Sequence, residues 1–230
     1  MPVNDGFCTL ASGDPAPFAG RPMPSFREVS DSSNVLIIDA ASALIQVGFL
    51  TTGGEARWSS SAEESGVGIF QCLESLRIAP LDAGTLIFCE GPGSVLGIRT
   101  AAMAIRTWGV MRPARVLSYL SLALVAHAAK DPALTVIADA RRECWHQYTM
   151  AGGLVRVEAS ALNGKLRMPE NFRHWSALPP GVEIVPYRLS ELIPAVGELD
   201  LLRECPEPDA FLHEEPSYVT WVPKIHRAPL

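Results

Sequence analysis

The sequence predicts a mixed α/β fold, with parallel and antiparallel strands in the sheet and helices packed against it. Three observations carry the prediction. Val35-Leu36-Ile37-Ile38, Thr85-Leu86-Ile87-Phe88-Cys89 and Leu134-Thr135-Val136-Ile137-Ala138 are largely apolar runs of strand length, the pattern of strands buried on both faces. Hairpin turns follow two of these runs and helical periodicity separates them. A glycine-rich turn joins Cys89 to a long apolar helix. The resulting order is strand, hairpin, helix, strand, helix, strand, helix, strand, hairpin.

Residues 1–33 precede the first strand. Asp14-Pro15-Ala16-Pro17, Arg21-Pro22-Met23-Pro24 and Ser30-Asp31-Ser32-Ser33 are too rich in proline and small polar residues for a packed core. They predict a disordered or loosely packed extension. Residues 34–118 then form an N-terminal subdomain, and residues 119–230 a smaller C-terminal subdomain with a tail. The first strand ends at Asp39, and a small-residue turn, Ala40-Ala41-Ser42, leads to a second strand over 43–50. Thr51-Thr52-Gly53-Gly54 turns it into a third near 55–58. An acid closing a central strand, then a hairpin, is how phosphate-binding folds of the actin and sugar-kinase type begin. Asp39 is equally readable as a turn former.

Ser61-Ala62-Glu63-Glu64 reads as a capped helix start, and Val67, Phe70, Leu73 and Leu76 recur at helical spacing to about Arg77. The helix after the glycine turn is apolar nearly all round. Val95, Leu96, Ile98, Met103, Ile105 and Trp108 cannot all face one sheet, so a second side is buried within the subunit or against a partner. A strand over 115–118 and a helix over 119–129 follow. Another strand, 134–138, again ends in an acid, Asp139. Strands over 143–150, 154–158 and 182–185, a helix over 189–196 and a tail closing over the domain from 206 complete the reading.

The turn Gly91-Pro92-Gly93-Ser94-Val95-Leu96-Gly97-Ile98-Arg99 is the most chemically specific stretch. Gly91 and Gly93 allow backbone angles that other residues resist, and Ser94 is a good helix N-cap. Such a turn either caps a buried helix or presents N–H groups to an anion. It is not a dinucleotide fingerprint, because Gly97 falls one residue late for G-x-G-x-x-G. Nor is it a hydrolase elbow, since Pro92 and Leu96 stand where G-x-S-x-G needs glycines.

The chain has 230 residues, 48% of them hydrophobic, and a formal charge of −6, which argues against a dedicated nucleic-acid binder. No apolar run is long enough to span a bilayer, and no secretory leader pattern opens the sequence. The five scattered cysteines form no C-x-x-C pair and fit a reduced, cytoplasmic protein.

These segments together resemble the TsaB (YeaZ) family, glycoprotease-like members of the actin, sugar-kinase and heat-shock ATPase (ASKHA) superfamily. The family motif G-P-G-S-F-T-G-[LV]-R stands here as Gly91 to Arg99, with Val95-Leu96 replacing Phe-Thr. The first-strand acid corresponds to Asp39, the I-D-A-R segment to Ala138-Asp139-Ala140-Arg141, and the C-terminal P-x-Y-L-R to Pro216-Ser217-Tyr218-Val219-Thr220. The resemblance implies an actin-like/sugar-kinase-like fold with two subdomains. It also implies a non-catalytic scaffold or activator of the tRNA N6-threonylcarbamoyladenosine machinery. Such a subunit pairs with TsaD, which carries the catalysis, while TsaE docks at the junction and tRNA is met only through the complex. Pairing would use the helices over 62–77 and 95–110, with Val67, Phe70, Leu96, Arg99, Met103 and Arg106 at the interface. Gly91, Pro92, Gly93, Ser94, Gly97 and Arg99 would be the loop's anion-binding remnant, and Asp39 and Asp139 vestigial nucleotide or metal acids. No cofactor is expected beyond weak ATP or ADP binding. The catalytic sister's H-x-x-x-H metal pair has no counterpart here, where the first helix begins with Glu63-Glu64. Two alternatives remain: a homodimeric pseudoenzyme paired through the same helices, and a nucleotide-binding kinase or ATPase using both acids.

Overall fold

The computed structural model describes residues 23–210 of the protein, and these residues form two sheets of one design. The first grows from the first apolar run. Strand β1 (Val35–Asp39) is buried at every position, as its unbroken apolar pattern requires. It pairs antiparallel with β2 (Ile45–Leu50), which turns through Gly54 (φ 83°) into β3 (Ala56–Ser61). On its other side β1 runs parallel to β4 (Thr85–Gly91), and β4 parallel to β5 (Arg115–Leu120). A late strand, β11 (Arg203–Glu204), returns to close this edge, so the order is β11-β5-β4-β1-β2-β3.

The second sheet contains β6 (Leu134–Asp139), β7 (Cys144–Thr149), β8 (Gly153–Glu158), β9 (Lys165–Pro169) and β10 (Glu183–Val185), in the order β10-β9-β6-β7-β8. Again the first strand is central, with an antiparallel hairpin on one side and parallel strands on the other. Each central strand ends in an aspartate, Asp39 or Asp139. The halves differ in their crossovers. In the first, α2 (Ser65–Leu76) links β3 to β4 and α3 (Val95–Met111) links β4 to β5. In the second, a 3-10 turn (Ala159–Ala161) and an irregular stretch over 170–182 take those places. Helix α4 (Ser121–Ala129) follows β5, and α5 (Leu189–Val196) follows β10. Helix α4 packs on β6 and β7 as well as β4 and β5, and α5 packs on α4 and β2. The last helix of each half thus reaches the other half's sheet, which explains why α4 is apolar and buried from Leu122 to Ala126.

The structure corrects several expectations. Residues 26–32 are not loosely attached: Phe26–Ser32 is a helix, α1, with Phe26 and Val29 buried. Its N-terminus is a capping box. Ser25 Oγ accepts from Glu28 N–H at 3.2 Å, and the Glu28 carboxylate accepts from Ser25 N–H at 2.9 Å. The Ser-x-x-Glu signature was present amid the prolines that masked it. Residues 1–22 lie outside the described residues, as does the tail over 211–230 with Pro216 to Thr220. Helix α2 starts at Ser65 rather than Ser61, because Ser61 still pairs with Ile45 in the β2–β3 ladder. Tyr119 belongs to β5, not the next helix, since β5 stays in register with β4 through Cys89. The subdomain boundary at 118/119 is not a clean cut either, because β11 rejoins the first sheet. Among the described residues, no helix is long and apolar enough to cross a membrane.

Candidate functional site

The glycine turn is shaped by close packing. Gly91 (φ 128°) leads through a cis Gly91–Pro92 bond into α3, and Ser94 caps that helix by accepting from Gly97 N–H at 3.3 Å. Ser94 N–H donates to the Ala41 carbonyl at 2.7 Å, which ties the turn to the β1–β2 turn. A Cβ on Gly93 would overlap that carbonyl, and one on Gly97 would overlap the Ala40 carbonyl. Both glycines are therefore required for backbone approach. The Pro92 carbonyl accepts from Ser121 Oγ at 2.6 Å, anchoring the turn to α4. The Ser94 amide, which an anion would need, is already bonded.

Asp39 is fully buried, and its carboxylate is the hub of a hydrogen-bonded cluster. Oδ1 accepts from Ala41 N–H at 2.9 Å, while Oδ2 accepts from Tyr119 O–H at 2.6 Å and from Tyr187 O–H at 2.7 Å. Burial pushes the carboxyl up from the ordinary 3.8, although these hydrogen bonds favour the charged form. Burial and the neighbouring Asp39 charge push both tyrosines well above the usual value. A nucleotide-bound cation would have to displace both phenols to reach this acid. Neither tyrosine was singled out from the sequence, because each meets Asp39 only through tertiary folding.

Asp139 occupies the equivalent position in the second sheet but faces the cleft between the sheets. Its Oδ1 accepts from Arg141 N–H at 2.5 Å, and its Oδ2 from Trp175 and Ser176 N–H at 2.7 Å each. Burial pushes its carboxyl up, but the N–H groups of Ser176, Arg141 and Trp175 together outweigh that and hold it below the ordinary value. It thereby pins two loops, and the Arg141 guanidinium stacks 4.4 Å from the Trp175 ring. The cleft, about 640 Å³, is lined by Ala41, Glu64, Ser94, Thr100, Asp139 and Trp175 among others; Asp39 does not reach it. The structure thus separates the two acids. One is sealed in the core and the other is committed to loop contacts.

The expected interface residues share a surface. Helix α3 buries Ile98, Ala101, Ala102, Ile105 and Trp108 against the sheet. Its opposite side exposes Leu96 (76%), Met103 (57%) and Val110 (88%) at seven-residue spacing, which keeps them on one stripe. Arg99 and Arg106 repeat at the same spacing between them and are exposed. Helix α2 lies beside α3 with Phe70 edge-on to Trp108 at 6.5 Å, and leaves Val67 (51%) and Phe70 (53%) exposed. The amphipathic face read through Val67, Phe70, Leu73 and Leu76 is therefore rotated: Ile69, Cys72, Leu73 and Leu76 face inward with Gly68. Val110 was missed, although the Leu96, Met103, Val110 spacing is visible in the sequence. Arg99 also meets Asp209, with Nε 3.5 Å from Oδ1.

No protein-family profile matches the chain, and no curated protein matches its sequence. Solved structures do match. One is an uncharacterized protein with similarity to peptidase YEAZ from Pseudomonas aeruginosa, at 16% identity over 71% of this chain and 89% of that one, with a TM-score of 0.53. Another is YeaZ from Pseudomonas aeruginosa, at 16% identity over 71% of this chain and 90% of that one, with a TM-score of 0.54. At this identity the likeness speaks to architecture. Two mixed sheets of one design, the helices exchanged between them and this match together establish that the chain has the actin-like α/β fold of YeaZ.

Proposed function

We propose that this chain is a non-catalytic, TsaB-like scaffold or activator subunit, pairing with TsaD in tRNA N6-threonylcarbamoyladenosine formation. The observation that carries the reading is the exposed α2–α3 face, on which Leu96, Met103, Val110, Val67 and Phe70 form an apolar surface edged by Arg99 and Arg106. Large apolar surfaces of this kind mark interaction sites, and the seven-residue spacing suits a facing helix. The YeaZ fold and the Gly91–Arg99 motif support the family assignment. TsaE would dock at the junction, tRNA would be met through the complex, and the chain would need no cofactor. Sealing of Asp39 by Tyr119 and Tyr187 weighs against the kinase or ATPase alternative, which needs that acid beside Mg-nucleotide.

Co-purification with the TsaD of the same organism, with mass from light scattering, tests the proposal. A one-to-one complex that Leu96→Asp with Met103→Asp abolishes is expected. A stable homodimer indifferent to TsaD would replace this reading with the pseudoenzyme paired across a two-fold axis through the same face.

A further inference from the structure

We infer that the rim of the cleft around Arg141 and Trp175 is a contact surface for single-stranded RNA. Trp175 stacks a base there, and Arg141, Arg142 and Arg173 hold the flanking phosphates. The surface stands on its own geometry; that the RNA is a tRNA rests on the partner reading above.

Two loops of the second sheet build the rim. The β6–β7 turn carries Arg141 (φ 62°), Arg142 (φ 52°) and Glu143 (φ 59°), successive non-glycine residues in the left-handed region. Side chains disfavour that region, and such a run persists only where its surroundings hold it, commonly at functional sites. Asp139 does the holding. Its carboxylate accepts from Arg141 N–H in the turn and from Trp175 and Ser176 N–H in the irregular stretch over 170–182. The loops are thereby fixed side by side, with the Arg141 guanidinium over the Trp175 ring.

Exposure and charge select the ligand. Trp175 is 60% exposed even with Arg141 over one face, so a base can stack on the uncovered face. Arg141, Arg142 and Arg173 are exposed, and among the described residues no carboxylate lies within ion-pair distance of them. Arg115, Arg167 and Arg188, by contrast, are all paired with glutamates. An open aromatic ring among unpaired arginines fits unstacked bases and their phosphates, whereas a duplex would hide its bases from the ring. Glu63 and Glu64, contributed by the first half, also line the cleft. They repel a polyphosphate from its depth and keep the contact at the rim. The formal charge of −6 makes that contact weak and salt-sensitive, an addition to a partner's grip on the RNA.

The test uses the full chain alone with a fluorescein-labelled RNA stem-loop, followed by anisotropy at low salt and by ultraviolet crosslinking with peptide mapping. Binding and a crosslink at Trp175 are expected. Three phosphate contacts predict an affinity loss of about 20-fold between about 50 and 200 mM salt. Trp175→Ala should weaken binding roughly fivefold or more. Arg142→Ala with Arg173→Ala, both exposed and so without effect on folding, should flatten the slope of log K against log salt by about 1.4. Equal affinity for a fully paired duplex or for ATP, unchanged binding in both variants, or no crosslink at this rim would overturn the inference. A rim crosslink in a chain that ignores TsaD would uphold the surface and refute the partner reading. A TsaD complex whose tRNA crosslinks nowhere on the rim would do the reverse.

Discussion

Replacing Asp39 by alanine should destabilise the protein by about 2–4 kcal/mol. The change leaves two phenolic O–H groups, Tyr119 and Tyr187, and the Ala41 N–H without their acceptor in a fully buried site. Each buried donor left unsatisfied costs about 1–3 kcal/mol. The three share one carboxylate, so their effects do not add. Removing a desolvated charge offsets part of the loss, because burial raises the Asp39 pKa. Urea unfolding followed by circular dichroism measures the difference, and Tyr119→Phe and Tyr187→Phe should each cost about 1–3 kcal/mol with clear coupling between them. The pH dependence has a defined sign. A carboxyl whose folded pKa lies above the unfolded value near 3.8 contributes stability that is full below that value and is lost as pH rises through the folded pKa. The stability difference between wild type and Asp39→Asn should therefore shrink from about pH 4 upward. An Asp39→Ala protein with the wild-type urea midpoint would refute the buried-hub reasoning, and lost nucleotide binding at unchanged stability would return Asp39 to a ligand role.

Other substitutions test the glycine turn and the exposed face. Gly97→Ala should cost about 1–3 kcal/mol in thermal unfolding, because its Cβ meets the Ala40 backbone. Gly66→Ala and Gly109→Ala, each in a helix with open space around the position, should instead stabilise by about 0.5–1 kcal/mol. Leu96→Asp and Met103→Asp should leave the urea midpoint nearly unchanged while abolishing assembly, since both side chains are mostly in solvent. Arg115→Ala, which removes a surface pair with Glu204 at 2.6 Å, should change stability by less than about 1 kcal/mol.

Much of the architecture was legible because its signals are local. Continuous apolar runs marked β1, β4 and β6; helical spacing marked most of α2 and a long apolar stretch marked α3; and the Gly91–Arg99 stretch located the strand-to-helix turn. The proline-rich opening misled because its composition outweighed a four-residue capping signal at Ser25 and Glu28. The repeated design was only hinted at by two strands ending in aspartate, since strand order depends on pairing between distant segments and the second half lacks the crossover helices of the first.

The sequence by itself determined most of the segments that become strands and helices, where the glycine turn stands, and that α3 is apolar on two sides, because periodicity and backbone sterics act over a few residues. Tertiary structure alone decided what those residues face. It brought Tyr119 and Tyr187 to Asp39 across separations of 80 and 148 residues, turned Asp139 to the cleft, and left Leu96, Met103 and Val110 in solvent. Burial and hydrogen-bond partnership belong to packed surfaces distant in sequence, and no local pattern specifies them.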